Sequence, residues 1–136
     1  MILNFTISSQ RAKKFFEYIG LTLWLFIIFI KLNRYFKLGI LEALSDNLPS
    51  FLGSAGLFLI LLSNKGKLSK LTVVQSVFIA IAISVIIELI QLLPRPGIFS
   101  YINYSFDYID LLFSIIGVLI SYLVILLLHS KKNLEL

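Results

Sequence analysis

Glu88 and Gln91 stand three residues apart inside the most apolar stretch of the chain, and Asp107 and Asp110 repeat that interval where the next apolar stretch opens. Arg95 is the strong cation closest in sequence to the group. Three carboxylates, an amide that both donates and accepts, and one guanidinium suit three kinds of chemistry: holding a polar or cationic group, proton transfer between paired acids, or oxygen ligation of a divalent metal. Gathering three carboxylates around one arginine leaves a negative excess. That excess calls for a protonated acid or an external cation.

The composition says what must position these residues. Of 136 residues, 59% are hydrophobic and only 14% charged, with a mean hydropathy of +0.98, a balance a soluble domain of this size could not hide from water. The apolar runs have roughly the length that a ~30 Å hydrocarbon core asks of a helix, whereas a membrane barrel would show alternating segments of about ten residues. The expected fold is therefore an all-α membrane protein, a four-helix transmembrane bundle forming a single domain over residues 1–136. No cysteine is present, which excludes disulfides, thiol nucleophiles and thiolate metal sites and leaves the redox compartment open. The +5 net charge reads as a topology signal, and nucleic acid is not an expected partner.

The first apolar run, Phe15 to Ile30, is flanked by Arg11, Lys13 and Lys14 before it and Lys31 and Arg34 after it. Ile30-Lys31-Leu32-Asn33 is bulky and basic where a signal peptide would need a small-x-small cleavage site, so the run reads as a retained anchor. The second, about Leu48 to Leu62, has Pro49 suited to a first helical turn and is expected to extend back toward Leu41. The third, Leu71 to Leu93, is ended by Pro94-Arg95-Pro96-Gly97. The fourth runs from Asp107 or Tyr108 to Leu128. Between the last two lies an aromatic connection with Phe99, Tyr101, Tyr104 and Phe106, read as an interfacial belt. His129, beside Lys131 and Lys132, reads as part of a solvated, headgroup-facing tail.

Basic residues set the expected orientation. Arg11, Lys13, Lys14, Lys65, Lys67, Lys70, Lys131 and Lys132 fall on one side of four spans, against Lys31, Arg34, Lys37 and Arg95 on the other. The richer side, with both termini, is assigned to the cytoplasm, which sends Glu88, Gln91, Arg95, Asp107, Asp110 and Asp46 to the outer leaflet.

Helical spacing then groups the polar residues. Ser76, Ala80, Ser84, Glu88 and Gln91 share one face of the third span, and Asp107, Asp110, Ser114, Gly117 and Ser121 share one face of the fourth. These two stripes are expected to face each other. A carboxylate in lipid costs about 2.5–3.5 kcal/mol at mid-membrane on insertion scales, less near the interface, so the acids should point into the bundle. A plainer role stands beside this. The small residues, including Gly53-Ser54-Ala55-Gly56, serve as packing positions, and Asp46 and Asp107 sit where helix N-termini favour an anion. Glu88 lies near a helix C-terminus, where the dipole disfavours one.

From Asp46 to Tyr122 the chain resembles the VanZ-like membrane proteins, a family named for an accessory protein of glycopeptide (teicoplanin) resistance. The resemblance is carried by Glu88-Leu89-Ile90-Gln91, by Asp107-Tyr108-Ile109-Asp110 followed by Ser114 and Gly117, and by Asn47-Leu48-Pro49-Ser50-Phe51 with shifted spacing. Ser114 stands where the family has asparagine, and Tyr104 and Ser105 stand where its arginine is usual, which makes Arg95 that arginine moved upstream or a loop residue. The resemblance implies a multi-pass protein of a bacterial cytoplasmic membrane that reduces susceptibility to envelope-targeting glycopeptides, and it implies no particular reaction.

The function expected is binding of membrane lipids or lipid-linked cell-wall precursors in an outer-leaflet polar pocket lined by Glu88, Gln91, Arg95, Asp107, Asp110 and Ser114, with no cofactor or resident metal. The alternatives are an intramembrane hydrolase or transferase using Glu88 with Asp107 or Asp110, and a subunit of a larger membrane complex recruiting other helices through its small-residue faces. An enzymatic activity is left open, with binding favoured.

Overall fold

The computed structural model describes residues 5–36, 46–63, 70–90 and 107–132, and the described chain is all-helical. The helices are α1 (Gln10–Tyr35), α2 (Leu48–Leu62), α3 (Val73–Ile90) and α4 (Tyr108–Lys132). Three of them, α1, α3 and α4, contain stretches long and apolar enough to cross a membrane. Their outward faces are apolar too: Leu25 on α1, Phe78 on α3 and Leu127 on α4 are each more than 60% exposed. Such faces belong in a lipid environment, and the chain is a membrane protein.

Each start has a local cause. At the head of α3, Thr72 and Gln75 form a reciprocal cap: the Gln75 N–H donates to Thr72 Oγ1 at 3.2 Å and the Thr72 N–H to Gln75 Oε1 at 2.9 Å. Asp107 caps α4, its Oδ1 accepting the Ile109 N–H at 2.8 Å. α2 begins at Leu48, after a turn at Asp46 and Asn47, and the expected extension to Leu41 falls on residues outside the described ones. Proline lacks an N–H and its ring crowds the preceding turn, so Pro49 is tolerated only near a helix start. The expected continuation of α3 to Leu93 lies outside the described residues.

With 15 residues α2 is about 22 Å long, yet it is the centre of the assembly, packing against α1, α3 and α4. Its small residues explain how. Gly56 lies against the Trp24 ring and the Gly20 backbone, so that a methyl on Gly20 would come within 2.9 Å of the Gly56 carbonyl oxygen. Trp24 Nε1 donates to the Gly53 carbonyl at 3.3 Å. These pairings make α1 and α2 antiparallel. On the other side Ser50 meets Ser114 and Ser54 meets Gly117, so α2 and α4 run parallel.

The core is built from Phe58, Leu59 and Leu62 of α2, Val73, Val77 and Ala80 of α3, Val118 and Ile125 of α4, and Phe16 of α1. The segment before α1 joins it. Ile7 is buried, the Phe5 carbonyl accepts the Val73 N–H at 2.9 Å, and the Phe5 ring stacks on His129 with centroids 4.0 Å apart. The His129 ring is thus half-buried against an aromatic neighbour, where a solvated tail was expected. An imidazole face packs on a phenyl ring as readily as it meets water, and the local sequence gave no sign that Phe5 reaches it.

Candidate functional site

The polar residues collect at one end of the bundle, where α2 and α4 begin and α3 finishes. Glu88 comes from the last turn of α3. It lies on the face expected from its spacing, since Ser76, Ala80, Ser84 and Glu88 are all buried. Ser76 and Ser84 turn their hydroxyls back to their own helix, onto the carbonyls of Thr72 (3.1 Å) and Ala80 (2.9 Å). They are packing positions, as their size suggests. Glu88 has no such local partner. Its side chain is only 6% exposed, and its Oε2 is buried with no hydrogen-bond partner among the described residues.

Asp107 and Asp110 face it from the opening of α4. Both carboxylates are within electrostatic range of Glu88. Asp107 is half-buried and serves as the α4 cap; of the two roles considered for it, capping is directly visible. Asp110 lies one turn deeper. The Ser50 hydroxyl of α2 reaches its carboxylate, while Asp110 Oδ1 is buried without a partner among the described residues. Asp46, in the turn before α2, adds a further acid within electrostatic range of Asp110.

Ser114, one turn beyond Asp110, directs its hydrogen bonds to α2. Its hydroxyl donates to the Ser50 carbonyl at 3.3 Å, and its own carbonyl accepts from Ser54 Oγ at 2.7 Å. Gly117 lies beside it, directly against the Phe51 carbonyl. The expectation that the two stripes simply face each other is corrected here. The acids at the head of α4 do meet Glu88, but the serine and glycine below them form the seat of α2. A polar stripe on a helix with two neighbours can be divided between them, and spacing along one helix cannot say where the division falls.

Asn33 and Ser50 also belong to this end. Ile27 lies against Gly53, and with α1 and α2 antiparallel the residues two turns later in α1 reach the level at which α2 begins. Asn33 is there, 4% exposed, with Oδ1 buried and unpartnered among the described residues. In the sequence it enters only as the end of the bulky, basic stretch Ile30-Lys31-Leu32-Asn33. The signal that could have found it is helical register, because it continues the buried face of Phe16, Leu23 and Ile30. Gln91, Arg95 and the aromatic connection lie outside the described residues.

Two carboxylates, Glu88 of α3 and Asp110 of α4, therefore present buried oxygens without donors among the described residues, and Asn33 presents another on α1, which packs on α2. A buried acceptor lacking a donor costs roughly 1–3 kcal/mol, and an ionised carboxylate costs more. The site is chemically an acceptor cluster, suited to receive hydrogen-bond donors, positive charge or protons. Among the described residues no three His, Cys, Asp or Glu side chains are placed to hold a metal ion.

Comparison with family models, curated proteins and solved structures gave no match for this chain. The functional reading rests on its own residues.

Proposed function

We propose that the chain is a VanZ-like protein of a bacterial cytoplasmic membrane, a four-span bundle with both termini in the cytoplasm, whose acceptor cluster engages a lipid headgroup or lipid-linked cell-wall precursor at the outer leaflet. By holding such a group it alters the access of glycopeptide-type antibiotics to their target without consuming a substrate. The observation that carries this reading is the burial of Glu88 with an oxygen that has no donor among the described residues, within electrostatic range of Asp107 and Asp110 of the neighbouring helix. Intramembrane acids are costly to keep, and a pair facing one another at a helix junction is a ligand or proton site more often than a packing device. The order Glu-x-x-Gln, then Asp-x-x-Asp, then Ser114 and Gly117 is the support for the family.

For α2 to complete a fourth span, its roughly 22 Å must be extended by the turns on either side or matched by local thinning of the bilayer, which costs fractions of a kcal/mol per Å. Its central packing against all three other helices favours that placement over a surface one.

The test is antibiotic tolerance in a host expressing the chain. Glu88→Gln and Asp110→Asn should each abolish tolerance to a glycopeptide while membrane levels of the protein stay unchanged. Unaltered tolerance in both variants would sink the reading.

A further inference from the structure

The acceptor cluster has a selectivity of its own. Four buried side-chain atoms in the described chain lack hydrogen-bond partners there, and three of them, Asn33 Oδ1, Glu88 Oε2 and Asp110 Oδ1, are oxygens at one end of the bundle. The fourth, His129 Nδ1, is at the other end. Two of the three oxygens belong to carboxylates, and Asp107 and Asp46 add negative charge around them. With both acids ionised, an occupant that satisfies Glu88 and Asp110 brings N–H donors and a positive charge, and need bring no acceptor.

A compact metal ion fits poorly. Ca²⁺ and Mg²⁺ draw their oxygen ligands to about 2.0–2.6 Å, which requires several carboxylates to converge on one point. No such group of three exists among the described residues. A primary ammonium makes a lesser demand, because its three N–H bonds diverge and each reaches an acceptor at about 2.7–2.9 Å. The Glu88 and Asp110 carboxylates, on neighbouring helices and within electrostatic range of each other, are what such a group can bridge. A quaternary ammonium carries the same charge but no N–H, and it would leave the carboxylate oxygens without a donor.

We propose that this cluster is selective for a primary ammonium group, of the kind carried by aminoethyl-phosphate lipid headgroups and by small free amines, with Glu88 and Asp110 supplying the charge and the acceptor oxygens. The proposal rests on the reading of this end of the bundle as a headgroup site and specifies which headgroup chemistry it takes.

The experiment uses the full chain in nanodiscs of phosphatidylcholine containing equal minor fractions of phosphatidylethanolamine and phosphatidylglycerol. Lipid retained through detergent extraction is counted by mass spectrometry. Retained phosphatidylethanolamine should exceed its share of the bilayer about three- to tenfold, the scale set by one or two net hydrogen bonds. The enrichment should fall to the bulk ratio in Glu88→Gln and in Asp110→Asn, and should persist in Thr72→Ala, which alters only the cap of α3 at the opposite end. Should one acid variant fail to fold, the other carries the same comparison.

Adding free ethanolamine distinguishes the two sources. Displacement of the lipid at millimolar amine assigns recognition to the ammonium alone, and resistance assigns it to the whole headgroup; either supports the ammonium site. Equal retention of ethanolamine and choline lipids overturns it. Preferential retention of phosphatidylglycerol, lost in Glu88→Gln, overturns ammonium selectivity and leaves the headgroup reading standing. Ethanolamine-lipid retention that appears only after Arg95→Gln overturns the proposal by assigning the oxygens to the chain's own guanidinium.

Discussion

Ser54 of α2 donates its hydroxyl to the carbonyl oxygen of Ser114 on α4 at 2.7 Å, in a buried position, while the same hydroxyl lies 3.0 Å from the carbonyl of Phe51 one turn back in its own helix. It is a side-chain tie between two parallel helices, placed just below the acids. Ser54→Ala should destabilise the bundle by about 1 kcal/mol, within the ~0.6–1.7 kcal/mol found for interhelical hydrogen bonds in membranes. A denaturing-detergent titration followed by circular dichroism would measure it. An unshifted midpoint would mean that packing alone joins the two helices.

Gly117 and Gly53 should respond differently to the same added methyl. At Gly117 it would collide with the Phe51 carbonyl and lie 2.8 Å from Ser54 Oγ, whereas at Gly53 the nearest neighbour is the end of the Ile27 side chain at 3.5 Å, an ordinary contact. Backbone cannot swing aside as a side-chain end can. Gly117→Ala should therefore cost roughly 1–3 kcal/mol, and Gly53→Ala close to nothing or slightly less than nothing. The same titration separates the two, and equal losses would refute this account of the α2–α4 seat.

Replacing Glu88 by leucine should make the protein more stable and less able to do its work. A buried carboxylate with a donorless oxygen is retained at a cost, and an apolar side chain of similar length removes it. The expected gain is about 1–3 kcal/mol, seen as a higher midpoint of thermal aggregation in detergent, together with complete loss of glycopeptide tolerance. A destabilised Glu88→Leu protein would show that the carboxylate has a structural partner.

The crossing of α2 can be read by chemical labelling, because the chain has no cysteine and each introduced thiol is the sole reactive one. Asp46 and Lys70 are both exposed and bracket α2. In intact cells an impermeant maleimide should label Asp46→Cys, and should label Lys70→Cys only after permeabilisation. Labelling of both from one side would remove α2 from the spans.

Much of the helical frame was legible from apolar run length and punctuation. The second run was placed at about Leu48 to Leu62 with Pro49 suited to its first turn, though with an extension toward Leu41, and the buried face of α3 followed from the four-residue steps leading to Glu88. The site was legible in its acids, since a carboxylate in an apolar helix is conspicuous. Its neutral members were not. Asn33 was masked by Lys31 and Arg34 on either side, and Ser50 by its place in a capping region, where serine is common for local reasons. The division of the α4 stripe between α3 and α2 depends on which helices become neighbours, and that is decided by the close approaches at Gly20, Gly56 and Gly117, not by anything within α4.

The docking of Phe5 bears on how the bundle is assembled. Its carbonyl is taken by Val73 at the head of α3 and its ring by His129 near the end of α4, so a segment preceding the first helix finds its last partner only when the fourth is in place. During synthesis the apolar ring and the neighbouring Ile7 must wait while the intervening helices emerge. Closure of this end is therefore a late event set by the order in which the helices emerge, and a chain cut before α4 would present that ring uncovered as a mark of incomplete assembly.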